Sequence, residues 1–423
     1  MQIYQPEYVT LIKPQILLFR VFNEIYSSQK RRIANQIMKV KGLTDTVLGV
    51  IKIWAYYNKN HVPHKVYFPT NFRFHEDQWS THWKDDHHKT ATPCQPVNNI
   101  LFLKTHKSGT STLTNILNRY ADKRNLTVAL PTKGYDFRWP RPFQISYVNT
   151  FGRTPNILNN HARYNKPSMN EIFPKDKTNY ITMLREPSAQ MESIFNYYGL
   201  LPQNFTSKRD NISPLENFLV NATFNMEHMK FRNTRYSNLI KNPALFDLGL
   251  DQKYHENLTA VQDYIRQLQQ EFQLVLLMEY FDESLVLLKR RFCWEIEDIL
   301  YFKLNERTNK DKQELTNQAR EQIQKWNSGD ALLYDVFNQT LWQMMEREGP
   351  DFAEDLALFT RKKEAVKKAC LQEGNFLTQP FKGKTVQGYE IRSNISANMK
   401  TTCSKMVMNE VPYVDYFRKK LTN

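Results

Sequence analysis

The stretch Lys104-Thr105-His106-Lys107-Ser108-Gly109-Thr110-Ser111-Thr112 gathers two lysines, a histidine, a glycine and five hydroxyls into nine residues. Where such a stretch turns into a helix, the small residues let successive backbone N–H groups converge. The helix N-terminus adds partial positive charge, and hydroxyls with a lysine complete a cradle for a phosphate-sized dianion. A Ser/Thr-rich helix cap is the plainer explanation, but a cap needs one hydroxyl and neither the lysines nor the histidine. The Walker sequence GxxxxGK[ST] is absent, because the lysine precedes Gly109 and no glycine lies five residues upstream. An ordinary nucleoside triphosphatase or kinase is therefore disfavoured.

Further along, Leu184-Arg185-Glu186-Pro187 is followed by Ser193, eight residues after the arginine. An arginine at the end of a strand and a serine on the next helix can grip a second phosphate, the guanidinium fork fixing its orientation. Taken alone, the pair is equally well explained by Arg185 bonded to Glu186 or Glu192 with Ser193 in solvent. Tyr135, Phe137, Trp139 and Phe143, interleaved with Pro140 and Pro142, either stack on a sugar or simply pack a loop. His75, His82, His87 and His88 with Asp85 and Asp86 show no recognised ligand spacing, and the four cysteines form no CxxC pair, so no metal is expected.

Elements that can position these groups are visible around them. Ile100-Leu101-Phe102-Leu103 is a short continuous apolar run of the kind buried on both faces of a parallel sheet, and Leu113, Ile116, Leu117 and Tyr120 then repeat at helical spacing. Thr127–Leu130 is a candidate next strand. Tyr180–Leu184 runs into a helix from Pro187, and Leu274–Met278 into one containing Leu285, Leu288 and Phe292. Three strand-to-helix units predict an α/β fold, a P-loop-like doubly wound parallel sheet flanked by helices with ligands at the carboxyl ends of its strands. A mostly helical region after Asn305 and a loop-rich C-terminal lobe, beginning with the Gly/Pro-containing 374–398, complete it. Residues 1–95 are expected to be a stem and connector, and 96–423 the catalytic domain.

Composition narrows the function. The 423 residues carry a net charge of +15, yet residues 96–359 hold 32 basic against 31 acidic side chains, so the excess lies at the two ends. A nucleic-acid binder concentrates cations on the face that follows the phosphates, and the chemistry-bearing region has no such surplus. No run approaches the length of a confident membrane span; Leu43–Tyr57, the best candidate for an anchor, is short and interrupted by Asp45 and Lys52. The four cysteines fit one or two disulfides, Cys370 with Cys403 being the preferred pair. Seven N-x-S/T triplets, at Asn125, Asn204, Asn211, Asn221, Asn257, Asn338 and Asn394, matter only in a secretory lumen.

The order strand, KSGT-type loop, helix, strand, Arg-Glu-Pro and helix with serine resembles the sulfotransferases that use 3'-phosphoadenosine 5'-phosphosulfate. More narrowly, THKSGTSTL at 105–113, NHARYN at 160–165, MLREP at 183–187, EYFDESLVLLKR at 279–290 and KWNSGDALLYDVFNQTLW at 325–342 resemble the galactose-3-O-sulfotransferases, over about Asn98 to Val411. The resemblance implies sulfuryl transfer to the 3-hydroxyl of a terminal β-galactose on a glycolipid, galactosylceramide or lactosylceramide, or on a glycoprotein glycan. It implies that Lys107, Ser108, Gly109, Thr110, Ser111 and Thr112 hold the 5'-phosphosulfate, that Arg185 and Ser193 hold the 3'-phosphate, and that Lys104 and His106 lie near the transferred group. His161, similar to a histidine of related 2-O-sulfotransferases, is the first candidate base, with His106 as the other. No metal and no nucleic acid are implied. The implied setting is a type II, single-pass Golgi membrane protein with a lumenal, glycosylated, disulfide-bonded domain. Rival readings are a nucleotide phosphotransferase with a degenerate loop and an inactive protein that binds sulfated glycans.

Overall fold

The computed structural model describes residues 94–201, 213–228, 230–231, 234–307, 314–374, 376–381 and 384–422. Leu43–Tyr57, the histidine-rich stretch of the expected connector and the triplets at Asn204 and Asn211 lie outside the described residues. The apolar run Ile100–Leu103 forms strand β1, fully buried along its length, and helix α1 (Thr110–Lys123) follows, its Leu113, Ile116, Leu117 and Tyr120 facing the core. Strand β2 is Ile157–Leu158 and strand β3 is Asn179–Leu184. Helix α2 (Pro187–Tyr198) begins with a proline in its first turn and is capped by Glu186, whose carboxylate accepts from the N–H groups of Ser188 and Ala189. The short helix α3 (Pro243–Asp247), strand β4 (Leu274–Leu277) and helix α4 (Phe281–Arg291) complete this half.

The four strands pair in parallel in the order β2-β1-β3-β4, with Leu101 opposite Leu158, Leu103 opposite Thr182 and Leu184 opposite Leu277. From β1 the chain moves to one side, to β2, and then crosses to the other side, to β3. The crevice outside the carboxyl ends of β1 and β3 is thus the topological switch point, the place where open α/β sheets bind ligands. Lys104 continues β1 there, and Arg185 continues β3.

Two sequence expectations need correction. The strand beside β1 is Ile157–Leu158, not Thr127–Leu130: Val128 makes only a single parallel bridge to Ile157, while Leu130–Pro131 turns away to pair antiparallel with Val148–Asn149. Pro131 has no N–H with which to prolong a ladder, and two apolar residues between Asn156 and Asn159 are too few to form a visible run. The C-terminal lobe is less loop-rich than its composition implies. Helices α5 (Ser328–Arg347) and α6 (Asp351–Cys370) are followed by an antiparallel pair, Leu377–Phe381 with Lys384–Gln387. Two further helices then follow, α7 (Ala397–Val407) and α8 (Glu410–Thr422).

Disulfides join Cys94 to Cys293 and Cys370 to Cys403, the second tying the end of α6 to α7 as expected. Asn115 of α1 donates to the carbonyls of Lys405 and Met408 at the end of α7, and Asp122 of α1 accepts from Lys405, Lys420 and the Tyr416 hydroxyl. These bonds dock α7 and α8 on the helix that starts at the anion loop. Among the described residues no helix is long and apolar enough to cross a membrane.

Candidate active site

The loop between β1 and α1 is held from inside by its own hydroxyls. Ser108 Oγ donates to the Thr105 carbonyl, the Thr105 hydroxyl donates to the Met183 carbonyl of β3, Thr112 Oγ1 accepts from Leu304 N, and Ser111 Oγ accepts from Asn305 Nδ2. The hydroxyls expected to hold an anion therefore serve first to set the loop's shape. Among the described residues, the N–H groups of Gly109, Thr110 and Ser111 have no hydrogen-bond partner, which leaves the α1 N-terminus open toward the crevice. Gly109 has φ +79°, a conformation that favours glycine, and a Cβ there would lie 2.2 Å from Met278 Sδ, so that side chain would have to shift for any other residue.

Two cations around this N-terminus, Arg185 and Lys107, have no ion pair among the described residues. Arg185, buried at the end of β3, donates from Nη1 to the Lys107 carbonyl at 3.0 Å, and among the described residues no carboxylate forms an ion pair with it. The plainer sequence explanation fails here, because Glu186 caps α2 and Glu192 is taken by Arg307 (Nη1 to Oε1, 2.9 Å). Burial lowers the Arg185 pKa, Glu279 opposing and Arg307 adding to the shift. Lys107 likewise has no ion pair among the described residues; its Nζ rests 3.6 Å from the centre of the Tyr197 ring. Burial, then the charges of Arg307 and Arg185, pull its pKa down to about 7. Ser193 is buried on α2, as is Gln190, which donates to the His106 carbonyl at 2.7 Å and fixes the helix to the loop. Buried guanidinium and ammonium groups without carboxylates, beside an open helix N-terminus, fit a ligand with more than one anionic group.

Lys104 differs from Lys107. It is fully buried and paired, Nζ lying 2.5 Å from Glu410 Oε1 at the start of α8. Next to it, His106 points Nδ1 at Asp247, 2.8 and 3.0 Å from the two carboxylate oxygens, and its backbone N–H donates to Asp247 Oδ2 at 2.7 Å. Trp139 Nε1 donates to Oδ1 of the same carboxylate at 2.8 Å. A carboxylate partner requires the proton on Nδ1, which leaves Nε2 with the lone pair. His161 stacks on His106, ring centres 4.3 Å apart and 20° between planes. It is more open than His106, but its Nδ1 is buried and has no partner. Burial, then Lys104, His106, Lys107 and Arg235, hold its pKa well below the usual histidine value, so the ring is neutral. Of the aromatic stretch, Phe137 and Phe143 pack in the core, Tyr135 is exposed, and Trp139 alone reaches the histidines.

Asp247 is the residue that sequence reasoning missed most clearly, and several sequence motifs converge on it. Tyr164 N, from NHARYN, donates to the Asp247 carbonyl, and Arg163 donates to the Phe246 and Leu250 carbonyls around it. Asp330, from the KWNSGDALLY stretch, caps α3 by accepting from Ala244 N and Leu245 N; burial raises its pKa to about 7 against those bonds, with Asp247 adding. Glu279, from EYFDES, accepts from Glu186 N and from the Tyr334 hydroxyl, joining β4, α2 and α5. An acidic residue inside Pro243–Leu248, otherwise apolar, was the available signal. Nothing in the local sequence marked Glu410. Among the described residues no group of three or more His, Cys, Asp or Glu side chains is arranged to hold a metal ion.

Comparison with known proteins places this geometry in context. A family model described as galactose-3-O-sulfotransferase matches residues 37–421. Galactosylceramide sulfotransferase of Homo sapiens is 35% identical over 341 residues, 77% of this chain and 79% of that protein. Its Bos taurus counterpart is 34% identical over 340 residues, 77% and 79% of the two chains. Galactose-3-O-sulfotransferase 2 of Homo sapiens is 34% identical over 337 residues, 75% and 82% respectively.

Proposed function

The chain belongs to the galactose-3-O-sulfotransferase family, and on that premise we propose that it transfers a sulfuryl group from 3'-phosphoadenosine 5'-phosphosulfate to the 3-hydroxyl of a terminal β-galactose. The acceptor is a glycolipid of the galactosylceramide or lactosylceramide type or a glycoprotein glycan. The observation that carries the reading is the pair Arg185 and Lys107, two cations without carboxylates that meet at the switch point beside an imidazole with a buried carboxylate behind it. A ligand with two separated anionic ends suits that arrangement. The donor supplies an activated sulfuryl group, the O3–S bond forming as the S–O bond to the 5'-phosphate breaks.

The remaining chemistry is positioning and charge stabilisation by the chain's own groups. Lys107 and the open N–H groups of Gly109, Thr110 and Ser111 stabilise the departing phosphate, and Arg185, with Ser193 on the helix that follows, binds the 3'-phosphate. His106 takes the proton of the galactose 3-hydroxyl at Nε2, because Asp247 holds the proton on Nδ1 and stabilises the imidazolium that forms. His161 stacks against it as a neutral ring. A second reading has His161 itself take the proton, favoured by its greater openness. The two disulfides and the exposed triplets at Asn125, Asn221, Asn257 and Asn394 support an oxidising lumenal setting, the Golgi, while Asn338 is buried in α5.

Transfer of labelled sulfate to a panel of galactosides tests the whole proposal. We expect Asp247→Asn and His106→Ala each to lower kcat about a hundredfold or more with little change in donor KM. Wild-type-like turnover in His106→Ala with loss in His161→Ala moves the base to His161. Acceptor binding without any transfer overturns the enzyme reading.

A further inference from the structure

We infer that Glu410, the first residue of α8, is a positioning residue of the anion loop: its carboxylate fixes the Lys104 ammonium beside the two histidines and makes the C-terminal helix part of the transfer site. The inference rests on the reaction proposed above. Lys104 is fully buried, and its Nζ lies 2.5 Å from Glu410 Oε1. Ser111, in the first turn of α1, adds to the influences that keep the same carboxylate ionised.

A purely structural role does not account for this choice of residue. Docking of α8 is already supplied by Tyr413, Val414, Phe417 and Leu421 in the core, and by Asp122 with Lys405, Lys420 and Tyr416. An apolar pair in place of Lys104 and Glu410 avoids the desolvation of two charges. The charge of Glu410 opposes the binding of an anion but also raises the Lys107 pKa, and the two effects on donor affinity offset each other. What it does supply is the charge on Lys104. Burial lowers the Lys104 pKa, and the charge and hydrogen bond of Glu410 oppose that loss. Burial works in the other direction on Glu410, and Lys104, Ser111 and Lys107 overcome it and keep the acid ionised. The preserved ammonium is, after burial, the first influence holding His161 neutral. Glu410 therefore acts chiefly through Lys104, on the reacting side of the pocket.

The test is a double-mutant cycle of Glu410→Gln and Lys104→Met in the full chain, read three ways. Binding of 3'-phosphoadenosine 5'-phosphate is measured by calorimetry, kcat and KM by labelled-sulfate transfer, and stability by thermal melting. In Glu410→Gln, assayed at pH 6 where Lys107 is largely protonated, we expect nucleotide affinity and donor KM to stay within a few-fold of wild type, with kcat down about tenfold or more. In the Lys104→Met background the same substitution has no further effect on kcat, the signature of two residues acting as one unit. Should Glu410→Gln not fold, Glu410→Asp, which keeps the charge but withdraws it by one methylene, takes its place with the same expectation. The inference is overturned by a kcat within twofold of wild type, by losses that add independently in the cycle, or by affinity, kcat and melting temperature falling together. A wild-type protein that neither binds the nucleotide nor transfers sulfate overturns the proposed reaction itself, and this inference with it.

Discussion

With an ammonium pKa near 7, Lys107 changes charge in the range where most enzymes work, and the groups that set it are all in the crevice: Arg307 and Arg185 push protons off, Glu410 and Glu192 hold them on. The charged form, which binds an anion, dominates below that value and is lost above it. Affinity for 3'-phosphoadenosine 5'-phosphate is therefore expected to fall about tenfold between pH 6 and pH 8. Calorimetry at several pH values checks this, and Lys107→Met should bind more weakly at pH 6 and flatten the profile. An unchanged slope in that variant would assign the dependence to another group. Burial, then Lys104, His106, Lys107 and Arg235, keep the histidine stacked beside the loop neutral, which a sequence cannot reveal, since Arg235 lies far along the chain from His161.

At the scale of elements, the site depends on how tightly α3 is held against the strap that carries His161. Gly249, just after α3, has φ +102°, and a Cβ there would lie 2.6 Å from the Tyr164 carbonyl oxygen, a backbone atom that cannot swing aside. Gly249→Ala is expected to cost about 2 kcal/mol or more in stability. It should also lower kcat more than nucleotide affinity, because Tyr164 N holds the Asp247 carbonyl. Thermal melting and transfer kinetics check both, and a variant with wild-type kcat would show that Asp247 tolerates the shift. The strands β1 and β4 were legible as continuous apolar runs, and β3 as one interrupted by Thr182, each followed by a helix. The loop residues, His106 among them, and Arg185 were singled out by type and order, and His161 by the family resemblance alone. Asp247 and Glu410 were not, because their meaning lies in contacts 141 and 306 positions away along the chain. Strand β2 was hidden by its two-residue length, and α7 and α8 by polar surfaces covering a narrow buried stripe.

For the molecule as a whole, the C-terminal helices are structural parts of the crevice instead of an appendage. The Cys370–Cys403 bridge closes 33 residues and fastens α7 and α8 behind α6. Replacing either cysteine with serine is expected to remove about 3–4 kcal/mol of stability. Transfer should be lost at a lower temperature than in the wild type, and nucleotide binding retained to a higher temperature than transfer. Simultaneous loss of both would mean that the helices support the donor cradle too. The basic surplus of residues 360–423 is partly spent in this docking, Lys405 and Lys420 both serving Asp122.

The ion pair that spans 306 positions also orders events during synthesis. The sheet and the cradle emerge from the ribosome first. The lysine at their edge then waits, without its counter-charge, until translation has advanced by three hundred codons. A nascent domain of this kind holds an unfinished centre through most of its manufacture and becomes competent only when its far end folds back.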